Sequence, residues 1–472
     1  MHGDHTISIG GTATGNASRG DAGSACTQTV LSGRHVRAVG VLLAVAFGVR
    51  LLFAVFLFPQ VQARTGLSPG SDGYERIAET LASGGGYRFA PDLGETMFVP
   101  PAYPLFLAAL FKMSDQHLLV TQIAQSILDT ISCLLIYCIG RKCLGHWPAF
   151  IGASLYALYP GMWIACSRYL SEPLFVCLTL IFVHYFSEFL ASREWRGAIV
   201  GAASCGVSVL CKSVAGVLPL FLLGASLILP AWRGRRGRAM CGLGIGVVMV
   251  VVIVSPWVYR NYRLTGELVY PSTSGGLAVY TAHVYAAHPE QSIRKSVHQA
   301  AAEVRDLGVR NGIALDPRDT YPRAFYNPLD EVKLDHLART VAMEQIATDR
   351  AGFLSHIAGN LWRFWIGAPT RTSVVFSILL NGPLLLLATV GFFQSRWWTD
   401  RTLSLWMAVS VYLFLSHVAV LAVVRYSLTV MPLVCMLSGY TLYRAYVWRN
   451  ARRTETAAAG VSTGRGSSLR EP

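Results

Sequence analysis

The sequence predicts an all-α polytopic membrane protein of about ten transmembrane helices, with two large outer loops carrying interfacial amphipathic helices. Three observations predict it. Of 472 residues, 53% are hydrophobic and only 14% charged, whereas soluble domains carry about 25% charged residues. The apolar residues are gathered into long runs such as Val41–Phe58, Gly242–Trp257 and Ser373–Phe393, each near the ~20 residues that cross the hydrocarbon core. The basic residues fall on one side of the threading that these runs define.

Residues 1–37 are polar and rich in Gly, Ser and Thr, which predicts a disordered cytoplasmic tail. The first apolar run is too long for a signal-peptide core and reads as a retained span at 38–58. Further spans are expected at 117–140, 147–167, 173–190, 197–212, 214–231, 239–258, 372–394, 402–424 and 426–447. With the N-terminus in the cytoplasm, Arg141-Lys142, Arg193 with Arg196, Arg233/Arg235/Arg236/Arg238, Arg396 with Arg401, and Arg449/Arg452/Arg453 all fall inside. The short outer turns hold only Arg168, Lys212 and Arg425. That asymmetry supports an even span count in the plasma (inner) membrane, with both termini cytoplasmic. One membrane domain would then cover 38–447, with outer loops 59–116 and 259–371 and a polar cytoplasmic tail at 448–472.

Composition also argues against some functions. The net charge of +14 follows from these loop cations; no basic face interleaved with aromatics marks a nucleic-acid partner. Most cysteines lie inside spans, without disulfide or zinc spacing. No Walker loop or dinucleotide fingerprint is present, so a nucleotide-sugar donor is not expected. No internal inverted repeat is evident, which weighs against a secondary transporter.

In the first outer loop, Tyr74, Ile77, Ala78 and Leu81 recur at helical spacing. Ser71 or Asp72 is a natural N-cap and Gly84–Gly86 a natural stop. The spacing predicts a short amphipathic helix at the membrane surface. Pro100-Pro101-Ala102-Tyr103-Pro104 then reads as a rigid turn feeding a second interfacial helix. Asp72 has two readings on spacing alone: a helix cap, or a base held at the membrane surface. Glu172 opens a span, where the helix dipole favours an acid. Arg50 lies within the first span, where a charge is costly and seeks a partner such as Asp129.

Taken in order, these segments resemble the C-type membrane glycosyltransferases that use polyprenyl-phosphate sugars. That group includes the dolichyl-phosphate-mannose protein mannosyltransferases and the aminoarabinose transferases of lipid A. The resemblance rests on Asp72, Tyr74 and Gly84–Gly86; on Tyr103-Pro104; on Tyr159-Pro160 with Ser171-Glu172-Pro173; on Pro256-Trp257, Arg260-Asn261-Tyr262 and Gly266; and on His417, Arg425-Tyr426 and Pro432. The chain departs from the pattern where Gly73 follows Asp72 in place of a second acid, and where Lys212-Ser213 stands for the usual Arg-Pro. The resemblance implies transfer of a sugar from a polyprenyl-phosphate donor to a hydroxyl of a lipid, glycan or protein acceptor in the cell envelope, with inversion. It implies Asp72 as catalytic base and Glu172 as a second acid that orients the acceptor or holds a metal. Lys212, Arg260 and Arg425 are then the phosphate ligands, with Arg50 either paired to Asp129 or reaching the phosphate. Tyr74, Tyr103, Asn261 and Tyr426 would line the sugar site. No cofactor is required, though a divalent metal is compatible. The competing readings are a transporter or lipid flippase, and a polysaccharide polymerase or ligase. Convergence of Asp72, Glu172, Lys212, Arg260 and Arg425 on one outer cavity separates the transferase from the others.

Overall fold

The computed structural model describes residues 33–464 except 71, 193, 289–290 and 369. Residues 1–32 of the expected tail, the candidate cap Ser71, the loop charge Arg193 and residues 465–472 lie outside the described residues. Among the described residues there is no strand, only an isolated antiparallel bridge between Leu315 and Phe325.

The first span continues past its expected end. Helix α1 (Gly33–Leu52) passes through a π-turn at Phe53–Leu57 into α2 (Phe58–Thr65), and Gly66 stops it in the left-handed region at φ 67°. Two short helices follow, α3 (Tyr74–Ala82) and α4 (Ala102–Phe111). Next come α5 (His117–Leu144), α6 (His146–Ala157), α7 (Pro160–Cys166), α8 (Glu172–Ala191), α9 (Trp195–Cys211), α10 (Leu218–Ile228) and α11 (Arg236–Thr265). Helices α12 (Gly275–Ala287), α13 (Ile293–Arg310), α14 (Pro328–Thr348) and α15 (Arg350–Ile366) form the second large inter-span segment. The chain returns through α16 (Arg371–Gln394), α17 (Arg401–Val418), the single turn α18 (Val424–Ser427) and α19 (Met431–Gly464).

The protein is polytopic. Among the described residues, five helical stretches are long and apolar enough to cross a membrane: Gly33–Thr65, His117–Leu144, Glu172–Ala191, Pro230–Thr265 and Arg371–Gln394. A sixth is counted if α6 and α7, bent by 53°, form one span. The bend falls at Tyr159-Pro160, because Pro160 has no N–H to continue the ladder. The Ala157 carbonyl, in the last turn of α6, accepts from Arg50 Nη1 and Trp163 Nε1, each at 3.0 Å. The remaining expected spans correspond to shorter or less apolar helices, with Trp195–Cys211 and Ser213–Ile228 both under 18 residues.

Deep in the bundle, α6 and α19 meet backbone to backbone. A Cβ on Gly439 would run into the backbone of Gly152. Glycine at the crossing is what lets these helices approach so closely.

The two inter-span segments pack on each other at one end of the bundle. Helices α12, α13 and α14 share a small core of Tyr280, Val284, Val304, Phe325 and Leu334. Backbone bonds tie the 66–116 segment to it: Gly94 N–H to Phe325 O at 2.9 Å and Thr273 N–H to Met97 O at 3.1 Å. Buried Glu331 joins all three strands of chain, accepting from Thr96 Oγ1 at 2.8 Å, from Met97 N–H at 2.9 Å, and from Thr273 Oγ1.

Helix α3 forms where the periodicity places it, but its apolar stripe meets protein. Tyr74, Ile77 and Ala78 are 6%, 0% and 0% exposed within the main core. Tyr74 meets Tyr103 of α4 edge-on, with ring centroids 4.9 Å apart.

Candidate functional site

Four expected residues come together where the inter-span segments join the bundle. Asp72 precedes α3 on a turn made by Gly73, whose φ of 77° is left-handed. Gly73, not Asp72, occupies the N-cap, and no side chain caps the helix. The cap reading of Asp72 therefore fails: its carboxylate turns away to Arg425, accepting from Nη2 at 2.8 Å. Glu172 is the first residue of α8. Its Oε1 accepts from Arg425 Nε and from Lys212 Nζ, both at 2.6 Å. Lys212 sits just past the end of α9 in extended conformation, so its side chain leaves the helix axis and reaches Glu172. Arg425 is carried by the single turn α18.

The result is a charge-balanced quartet of two carboxylates and two cations. Its members are unequally buried. Glu172 is 0% exposed, Lys212 11%, Arg425 23% and Asp72 35%. Burial works to raise the proton affinity of Asp72, but the Arg425 guanidinium outweighs it and holds the carboxyl below the usual carboxylate range. The Tyr74 phenol, pushed well up by burial and by Asp72, stays neutral beside it.

Aromatic residues frame the quartet. The Lys212 ammonium lies 5.4 Å from the Tyr426 ring centroid and 5.8 Å from that of Phe175. Tyr426 packs on His417 at 4.5 Å. Tyr103 is buried behind Tyr74 and donates its hydroxyl to Gln125 Oε1 at 2.8 Å.

Three expected site residues are placed elsewhere. Arg50 is fully buried in the bundle, paired with Asp129 and donating to the Ala46 carbonyl at 2.8 Å. The structure thus brings Arg50 to Asp129 and not to the quartet, because a guanidinium at that depth must be saturated locally. Arg260 binds Glu95 Oε2 at 2.7 Å and the Thr96 carbonyl at 2.8 Å, stacked 4.5 Å from the Trp257 ring centroid. Neighbouring Asn261 is buried, accepting from Arg260 at 3.1 Å and donating to the Val269 carbonyl at 3.4 Å. Arg260 fastens the 66–116 segment to α11, and Asn261 holds the stretch that follows α11.

Two residues that the sequence did not single out for the site lie beside it. Arg168, held by the Ser68 carbonyl at 2.8 Å, is lowered in proton affinity by burial and by repulsion from Arg425. Arg323 comes from the second segment and lies against Gly73, over the Phe89 ring at 5.6 Å. Only the outer-turn position of Arg168 hinted at this; Arg323, in a long polar stretch, carried no local signal.

Among the described residues no group of three His, Cys, Asp or Glu side chains could hold a metal ion. The Arg425 guanidinium binds both carboxylates, donating Nε to Glu172 and Nη2 to Asp72.

This all-helical fold, with its acids and cations gathered at one end, is similar to that of solved membrane glycosyltransferases, and part of the sequence matches a family model as well. The particular family model that matches, over residues 99–259, is described as dolichyl-phosphate-mannose-protein mannosyltransferase. A crystal structure of the Archaeoglobus fulgidus oligosaccharyltransferase tethered to an acceptor peptide superposes with a TM-score of 0.54 at 13% identity, over 90% of this chain and 51% of that one. The same organism's oligosaccharyltransferase AglB, in complex with an inhibitory peptide and a dolichol-phosphate, gives 0.54 at 13% identity over 93% and 52%. The chain thus spans about half the length of these proteins. ArnT from Cupriavidus metallidurans bound to undecaprenyl phosphate superposes at 0.40, with 16% identity over 88% and 79%. No curated protein matches by sequence.

Proposed function

We propose that the protein is an inverting glycosyltransferase acting at the extracytoplasmic face of a membrane it crosses about ten times. It takes a sugar from a polyprenyl-phosphate donor and attaches it to a hydroxyl of a lipid, glycan or protein acceptor. The observation that carries this reading is the convergence of Asp72, Glu172, Lys212 and Arg425, with Asp72 and Arg425 lying 353 positions apart in sequence.

In the transfer, the acceptor oxygen attacks the anomeric carbon and its proton passes to the Asp72 carboxylate. The bond from that carbon to the phosphate oxygen breaks on the opposite face, and its electron pair leaves with the polyprenyl phosphate. Arg425 and Lys212 stabilise the charge gathering on that leaving group. An apolar cavity of about 570 Å³, lined by Val251, Val254, Val258, Tyr262, Leu268 and Tyr270, supports a place for the lipid tail. Its Tyr270 lies against Gly216, in the turn that follows Lys212.

The test is transfer by the purified protein in nanodiscs, offered a panel of polyprenyl-phosphate sugars. Asp72→Asn is expected to abolish transfer while leaving expression and insertion unchanged. Wild-type turnover by that variant would overturn the assignment.

A further inference from the structure

The cations that a donor phosphate needs are already occupied by the protein's own carboxylates. Arg425 gives Nε to Glu172 and Nη2 to Asp72, and Lys212 gives its ammonium to the same Glu172 oxygen. The quartet is neutral, so an incoming phosphate monoanion or dianion adds uncompensated charge unless a carboxylate withdraws. The two carboxylates are not equally able to withdraw. Glu172 is completely buried, rooted at the first position of α8 and bound by two cations at 2.6 Å. Moving it would strand an unpaired charge inside the protein. Asp72 is 35% exposed, pairs with Arg425 at 2.8 Å, and precedes α3 on a glycine turn, so its carboxylate already meets water and is the one able to withdraw.

Resting on the transferase reading, we propose that Glu172 is a positioning residue that anchors both phosphate-binding cations, and that the donor phosphate displaces Asp72 from Arg425. The base is then released only on the donor-loaded enzyme. While Asp72 holds Arg425 it is a poor proton acceptor. Once a phosphate oxygen takes the Arg425 Nη2 position, the carboxylate faces an anion instead of a cation, and its proton affinity rises. Donor therefore binds before the acceptor can be activated, and an enzyme without donor cannot deprotonate a hydroxyl.

The experiment is equilibrium binding of undecaprenyl phosphate, carrying no sugar, to the full chain in nanodiscs. Asp72→Asn removes the competitor and is expected to tighten binding tenfold or more. Glu172→Gln removes the same formal charge from the same guanidinium but loosens the anchor, and is expected to weaken binding. If both variants tighten binding equally, only net charge matters and the unequal roles are overturned. If Asp72→Asn leaves affinity unchanged, the displacement is overturned. A second measurement stands if Glu172→Gln does not fold. Calorimetry near pH 5 in two buffers of different ionisation enthalpy should show wild type taking up more protons on binding than Asp72→Asn. Equal uptake refutes the release of Asp72. Absence of binding to wild type would instead strike the transferase reading itself.

Discussion

Glu331 offers a pH-dependent test of how the two inter-span segments are held together. The carboxyl is 2% exposed. Burial pushes it up from its ordinary 4.5 to about 7, against the lowering effect of Thr273, Thr96, Met97 N–H and Arg260. A carboxyl whose proton affinity rises on folding stabilises the folded form while protonated. The contribution is complete below 4.5 and is lost as pH rises through about 7. At about 1.4 kcal/mol per pH unit over that interval, the clamp weakens by about 3 kcal/mol. Hydrogen exchange can read this at the amides of residues 96–98 and 273–276, after correction for the intrinsic pH dependence of exchange. Their protection is expected to fall about a hundredfold between pH 4.5 and 7 and then level off. Glu331→Gln mimics the protonated group and should show a flat profile. Protection independent of pH in the wild type, or the same slope in Glu331→Gln, would refute the reasoning.

Two further predictions concern the scaffold. Arg50→Met or Asp129→Leu, each breaking a fully buried pair, should cost about 3–5 kcal/mol of stability, read as a lower Tm of the solubilised protein. The double replacement should recover part of that loss, and strictly additive losses would argue against the pair. Gly439→Val forces a side chain into the backbone of Gly152 and should cost about 1–3 kcal/mol; an unchanged Tm would show that α6 and α19 can separate freely.

The apolar runs and their periodicity made the helical class legible, because crossing a bilayer leaves a length and composition signature. Span ends were less legible. The first helix continues through a π-turn to Thr65, and a proline splits another near Tyr159. Such features depend on single residues that hydropathy averages away. In the site, Glu172, Lys212 and Arg425 could be chosen because each is a charge at a span boundary, whereas Asp72, inside the first outer loop, was chosen on the family resemblance. Arg260 met the same criterion and does not join them; its partner is Glu95, in a polar stretch with no periodicity to place it. The stripe of α3 was read correctly as apolar but assigned to lipid, because periodicity reports that a face is covered and not by what. Arg323 reaches the site only through the packing of the second segment on the first, a long-range contact that local sequence does not encode.

Two of the arginine–aspartate clusters, Arg50 with Asp129 and Arg425 with Asp72, differ in how fully they are saturated. In the bundle, both Asp129 oxygens are taken, one by Arg50 and the other by the Tyr156 hydroxyl at 2.6 Å. Arg50 Nη1 donates to the Ala46 and Ala157 carbonyls, at 2.8 and 3.0 Å, and Nη2 to Cys133 Sγ at 3.5 Å. Neither residue has any exposed surface, so no ligand can enter without breaking a buried pair. That cluster fastens α1, α5 and the bent α6–α7 hairpin. At the end of the bundle, Arg425 and Asp72 are 23% and 35% exposed, and one carboxylate of the quartet can leave while the other stays. A saturated, dry pair can only hold helices together. A neutral quartet with one member open to water can exchange that member for a substrate anion, which is the property a phosphate-binding catalytic site requires.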